Sequence, residues 1–232
     1  MKVKQSIKRP LFIFLIIDVL IVILHILIGS KQMFFNLDWE QNLPTMYQSY
    51  KLILAGSILL TVAILLKKMY PKIKSKLLVF QYGLAFGIIT MGFDECAELH
   101  ESLPRWFREL VPSFASWYEG IFSRLGFQSS IWIVYVLIFV PLVLFWILYT
   151  YKEVIKFHGK KITLLLLGLF VFFGGAVFLE FLGTTDYIYY SQWSEFNWYE
   201  IVMIAEEFLE MVGATIIFYY GYRELNLLLK KS

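Results

Sequence analysis

Charge is scarce in this chain, and so are histidine and cysteine. Asp, Glu, Lys and Arg make up 17% of its 232 residues, against the roughly 25% of a soluble domain. The chain is also 59% hydrophobic, with a mean hydropathy of +0.67. A soluble fold of this size has nowhere to hide that much apolar surface. Cys96 is the one cysteine, which excludes an internal disulfide and leaves the redox compartment unread. No Lys/Arg tract has the length or aromatic interleaving of a nucleic-acid-binding surface, so no nucleic-acid partner is expected. The start, Met1 to Arg9 and then an apolar run from Leu11, has the outline of a signal peptide. It lacks an A-x-A-like site near Gly29 and carries Asp18 and His25, so it reads as a retained helix.

What the chain does have is apolar blocks of helical length. Six can be marked, at about 11–29, 46–66, 77–99, 130–150, 162–182 and 199–221, each near the roughly 20 residues that cross a bilayer. They are too long for strands, and in lipid only helices or closed barrels satisfy the backbone. The expected fold is therefore all-α: one polytopic membrane helix bundle over residues 1–232, with six transmembrane helices. Orientation follows from Lys and Arg. Sixteen lie in the N-terminal tail, the second and fourth connections and the C-terminal tail; Lys31, Lys51, Arg105, Arg108 and Arg124 are left for the other side. The positive-inside rule then places both termini in the cytoplasm of a cell (plasma) membrane protein. The outer connections, 30–45, 102–129 and 183–198, mix aromatics with charge, as segments at the headgroup level do. Gly83 and Gly87 form a G-x-x-x-G that would permit close helix packing.

Several ionisable residues fall inside these blocks, where each costs a few kcal/mol and normally faces the bundle interior. The third block ends in Asp94, Glu95, Glu98, His100 and Glu101, ahead of Pro104. The sixth carries Glu206, Glu207 and Glu210, the first Asp18 and His25, and the fifth Glu180. At 3.6 residues per turn, Asp94, Glu98 and Glu101 form one stripe, and Glu206, Glu210 and Gly213 another. Measured from Tyr199, Glu206 and Glu210 lie roughly 10 and 16 Å deep. The clusters, with His25 and Glu180, therefore belong to the outer half, and Asp18 to the inner half. Close carboxylates in a low dielectric cannot all be ionised, so they share protons or hold a cation. A plainer reading leaves Glu98, His100, Glu101 and Glu180 solvated at the interface. It does not reach Glu206, Glu207 and Glu210. A purely structural polar network would need basic partners, and the outer half offers His25 and His100.

At these residues the chain resembles a family of uncharacterised prokaryotic multi-pass membrane proteins. The likeness rests on Asp38-x-Glu40-x-Asn42-Leu43-Pro44-Thr45, on Asp94-Glu95-x4-His100-Glu101, and on Glu206-Glu207-x-x-Glu210-Met211-x-Gly213. It implies no activity, but it implies that Glu40 and Asn42 belong with the site. The chain is also similar in architecture to membrane-embedded metal hydrolases of lipid amides. It departs from them: no H-x-x-x-H is present, and His25, His100 and His158 are the only histidines. The Glu-x-x-His of di-iron bundles is absent too, its place taken by Glu98-x-His100.

The resulting expectation is a membrane protein with a carboxylate/His site for a divalent metal or other cation. Asp94, Glu95, His100, Glu101, Glu207 and Glu210 are the expected ligands of a Zn, Mn, Fe, Mg or Ca ion. Glu98 and Glu206 are the expected catalytic groups, and Glu40, Asn42, His25 and Glu180 the accessory ones. The chemistry would be metal-assisted attack on a membrane lipid or lipid-linked substrate. Proton- or cation-coupled transport, or a non-catalytic sensor or assembly role, are the alternatives, and Asp18 has no place in the site.

Overall fold

The computed structural model describes residues 2–29, 31–38, 42–127, 133–192 and 197–231. Among them the secondary structure is helical, with a single isolated bridge between Phe127 and Thr185. Helix α1 spans Lys2–Leu24 and continues as a π-helical turn, His25–Gly29. Then come α2 (Leu43–Met69), α3 (Ser75–Ala97), α4 (Leu99–Leu110), α5 (Pro112–Arg124) and α6 (Ile133–His158). After a 3-10 turn at Gly159–Lys161 follow α7 (Ile162–Phe173), a π-helical turn (Gly174–Leu179), and the short helices α8 (Glu180–Gly183) and α9 (Asp186–Ser191). The chain ends in α10 (Trp198–Leu229).

Four helical stretches are long and apolar enough to cross a membrane: Lys8–Gly29, Leu43–Met69, Ser75–Ala97 and Val140–Gly183. The exposed side chains agree. Phe12, Ile16 and Leu20 on α1, Phe145 and Leu148 on α6, and Phe170 on α7 point outward, a surface that only lipid solvates well. Helix α10 is not among the four, because its carboxylates lower its hydropathy. It is nonetheless the most enclosed helix, packed against α1, α2, α7 and the turn that follows α7. The core runs through Leu52, Leu59, Ile88, Leu165, Ile217 and Tyr220, all buried.

Local chemistry explains the ends of these helices. Asn42 caps α2, its Oδ1 accepting from the Thr45 N–H at 3.1 Å. Asn197 caps α10 in the same way through the Glu200 N–H at 3.0 Å. Each cap satisfies a backbone donor that the helix leaves without a partner. Helix α3 ends differently: Glu98 takes a left-handed conformation, φ 50°, which is uncommon for a residue with a Cβ. That break corrects the stripe expected from sequence. Asp94 stays on α3, Glu98 sits at the bend, and Glu101 falls on α4, which runs straight through Pro104. The G-x-x-x-G is corrected as well. A Cβ on Gly83 would meet the Trp146 ring at 2.9 Å, but one on Gly87 would meet nothing within 4 Å.

Candidate functional site

Asp18 and Lys51 form an ion pair with Nζ–Oδ1 2.8 Å, and both side chains are fully buried. The rest of the Asp18 carboxylate is satisfied by hydroxyls. Tyr47 donates to Oδ1 at 2.6 Å and Thr215 to Oδ2 at 2.7 Å. Lys51 also donates to the Met211 carbonyl at 2.8 Å, and its ammonium lies 4.4 Å from the centre of the Tyr47 ring. Helices α1, α2 and α10 are thereby tied at one level. Asp18 lies midway along Lys8–Gly29, so its partner reaches it near mid-depth. The sequence places Lys51 with the outer basic residues, and its burial against Asp18 corrects that; Asp18 itself stays apart from the carboxylates expected to form the site.

One to two turns toward the start of α10, the buried polar groups become acidic. Glu210 is buried, 8% exposed, and the charges that act on it are carboxylates: Glu95 of α3, Glu207 and Glu206 of its own helix, and Glu180 at the start of α8. Three parts of the chain thus bring their expected site residues into one chamber. Backbone shape makes this possible. A Cβ on Gly175 would stand 2.7 Å from the Glu206 carbonyl and 2.9 Å from Glu210 Cγ, and one on Gly213 would overlap the backbone of Phe172. With no Cβ in either place, the turn after α7 lies against α10. That turn is π-helical, a distortion that often marks functional positions, and it delivers Glu180 to the chamber.

Two further polar groups belong at this level. Lys51 acts electrostatically on Glu95 as well as on Asp18, so it stands between the ion pair and the chamber. Gln48, one turn before Lys51 on α2, is 2% exposed, and neither its Oε1 nor its Nε2 has a hydrogen-bond partner among the described residues. A buried amide in that condition costs about 1–3 kcal/mol. Neighbouring contacts fix its depth. Ser49 donates to the Gly92 carbonyl at 2.6 Å, and Lys51 reaches Met211, so Gln48 is level with the end of α3 and with Glu207.

The remaining expected residues divide. His25 is 5% exposed; its Nδ1 accepts the Leu37 N–H at 3.0 Å, which leaves the proton on Nε2, a buried atom with no partner among the described residues. Asp38, in the loop beside it, accepts from the Tyr199 hydroxyl at 3.0 Å. Partial burial holds the Asp38 carboxyl above its ordinary value, and the Tyr199 hydrogen bond works against that. Asn42 serves the α2 cap and also donates to the carbonyls of Met33 and Asn36, so the loop-closing work accounts for its place in the motif. Glu40 and the side chains of His100 and Glu101 lie outside the described residues. Asp94 and Glu98 are half-buried. Among the described residues, no group of three or more His, Cys, Asp and Glu side chains is arranged to hold a metal ion.

A second polar cluster went unread in the sequence. His158, expected among loop lysines, is the last residue of α6 and 5% exposed. It is hydrogen-bonded to Gln81 Nε2 at 2.7 Å and to the Tyr220 hydroxyl at 3.3 Å, with Glu224 Oε2 at 3.9 Å. Gln81 and Tyr220, each at an apolar-looking helix position, were its only signal.

The model of one family, Domain of unknown function (DUF8692), matches residues 12–223. The chain belongs to this family. The match takes in every residue of the ion pair and of the acidic chamber. No curated protein and no solved structure matches the chain.

Proposed function

We propose that this DUF8692 protein is a cation-binding protein of the plasma membrane, with six crossings, both termini cytoplasmic, and its site in the outer half of the bilayer. The six-crossing topology is supported by the length of Val140–Gly183. Its 44 residues are twice what one crossing needs, and Gly159–Lys161 offers the turn. The basic tails and inner connections support the orientation.

One observation carries the cation reading: Glu210 is buried in the company of Glu95, Glu180, Glu206 and Glu207. Such a cluster holds shared protons or a counter-cation in a low dielectric. Oxygen donors favour a hard ion such as Mg or Ca, or Mn, Fe or Zn if His100 or His25 completes the set. In the enzymatic form of this reading, Glu98 and Glu206 supply the base, and the substrate is a membrane lipid or lipid-linked molecule. The test is a thermal-shift series on the purified chain with Mg, Ca, Mn, Fe and Zn, alongside elemental analysis. Stabilisation by one ion with stoichiometric metal supports the reading; no bound metal and no shift with any ion sinks it.

A second reading, proton- or cation-coupled transport, is favoured by Lys51, which links Glu95 in the chamber to Asp18 at mid-depth. Liposome flux that is unchanged by Asp18→Asn and by Glu210→Gln rules it out.

A further inference from the structure

Helix register shows what the buried Gln48 faces. Helices α2 and α10 run in the same direction. Lys51 donates to the Met211 carbonyl, and further along both helices a Cβ on Gly221 would stand 3.3 Å from the Leu59 side chain. Gln48 lies eleven residues before Leu59, and Glu210 eleven before Gly221. Eleven residues are close to three full turns, so each returns to the face that makes the Gly221–Leu59 contact. That contact, repeated three turns toward the helix starts, sets Gln48 across from Glu210 and within a turn of Glu207.

Helix α3 runs the opposite way and reaches the same level. A Cβ on Gly92 would meet the Ser49 carbonyl and the Ile53 N, each at 2.9 Å. Gly92 is therefore level with Lys51, and three residues on, Glu95 is level with Gln48. Glu95 acts on Glu210 and on Lys51. The Lys51 ammonium itself is engaged by Asp18 and by the Met211 carbonyl.

A side chain 2% exposed thus stands between two carboxylate-bearing helices, with both amide atoms unpartnered among the described residues. Such a group is costly, and a bound ion or water is a usual explanation for it. Among the described residues no three His, Cys, Asp and Glu side chains are arranged to hold a metal ion. A cation in the chamber therefore calls for a donor of another kind, and Gln48 Oε1 is a neutral oxygen at the right level.

We infer that Gln48 Oε1 is a ligand of the chamber cation, with the carboxylates of Glu95 and Glu210, and that the ion is Ca in preference to Mg. This rests on the cation reading of the chamber and deepens it. Ca accepts amide carbonyls among six to eight oxygens in flexible geometry, whereas Mg demands a near-ideal octahedron and sheds its water reluctantly. An enclosed wall of carboxylates and one amide suits the first. The ion draws a chamber carboxylate within reach of the Nε2–H, so both ends of the amide are satisfied.

The test is Ca and Mg titration of the purified full chain, read by thermal shift, on wild type, Gln48→Met and Gln48→Glu. Methionine has the length of glutamine and no ligand oxygen, and glutamate returns an oxygen to the same place. Without added cation, Gln48→Met is expected to melt higher by about 2–4 °C, because a buried amide without partners is removed. Its dissociation constant for Ca is expected to rise about tenfold or more, while Gln48→Glu binds Ca at least as tightly as wild type. Gln48→Leu takes the place of Gln48→Met should that variant not yield folded protein. The proposal is overturned if the apolar variant binds Ca as wild type does, or if Gln48→Glu is weakened as much as the apolar variant. It is also overturned if wild type responds to Mg as strongly as to Ca, or to Mn, Fe or Zn and not to Ca. Each of these results leaves the cation reading of the chamber standing; a wild type that responds to none of the five ions overturns both.

Discussion

Two buried polar regions lie within two turns of each other along α10, and they are built on opposite principles. Around Asp18, charge and hydrogen bonds close: a carboxylate, an ammonium, two hydroxyls and a backbone carbonyl satisfy one another. Around Glu210, the acting charges among the described residues are carboxylates, and the neighbouring Gln48 amide has no partner among those residues. The first arrangement is complete without a ligand and holds three helices in register. The second gathers carboxylates from α3, α8 and α10 around one buried glutamate, the arrangement on which the cation proposal rests. Both regions are buried, so depth alone does not distinguish them; the sign of the neighbouring charges does.

That contrast can be broken most sharply at Asp18. Asp18→Asn leaves Lys51 as an uncompensated buried charge, which costs about 3–5 kcal/mol and is expected to lower the melting temperature strongly. The double variant Asp18→Asn/Lys51→Met removes both charges and should recover most of the loss, since apolar replacement of a whole buried pair is often near neutral. If the single variant melts like wild type, the pair does not lock the helices. Next in size is Gly213→Ala. Its Cβ would overlap the Phe172 backbone, and overpacking of this kind costs about 1–3 kcal/mol. Gly87→Ala on α3, with open space around it, is the matched control and should stay within about 0.5 kcal/mol of wild type.

Glu210→Gln should act in the other direction. Without added cation it relieves repulsion among like charges, so the melting temperature rises by a few degrees, where about 2–4 °C corresponds to 1 kcal/mol in a chain of this size. A fall would mean that Glu210 serves the fold as Asp18 does. The smallest effect belongs to Asp38. Its folded-state pKa is raised above 3.8, so the native chain keeps that proton to higher pH than the unfolded chain does. Stability from this group therefore falls as pH rises from about 3.8 through the folded value. Asp38→Asn should flatten that slope slightly in pH-dependent melting curves, and an unchanged slope would show that Asp38 does not contribute to it.

Much of this was legible in the chain. Apolar block length marked the helices, because in lipid the backbone leaves few options. The run of Glu206, Glu207 and Glu210 on one apolar block pointed to the helix that carries the buried Glu210. What stayed hidden has physical causes. Lys51 was counted as a flanking charge because a lysine near a helix end usually reaches water; only its spacing from Gln48, Leu52 and Ala55 on the buried side of α2 betrays it. The left-handed turn at Glu98 has no glycine or asparagine to announce it, so the break of the α3 stripe was invisible, as was the choice of Glu95 as the α3 residue that acts on Glu210. His158 looked solvated among lysines because its partners, Gln81 and Tyr220, come from distant helices.

Cation titration of purified wild type and Glu210→Gln, followed by thermal shift, bears most directly on the chamber. The Asp18→Asn/Lys51→Met variant serves as the comparison. Wild type is expected to gain stability with one cation and Glu210→Gln to gain none. The double variant should respond at least as strongly as wild type, since Lys51 no longer competes for Glu95. A Glu210→Gln protein that responds like wild type would contradict the account, because the buried carboxylate would then have no part in holding the cation.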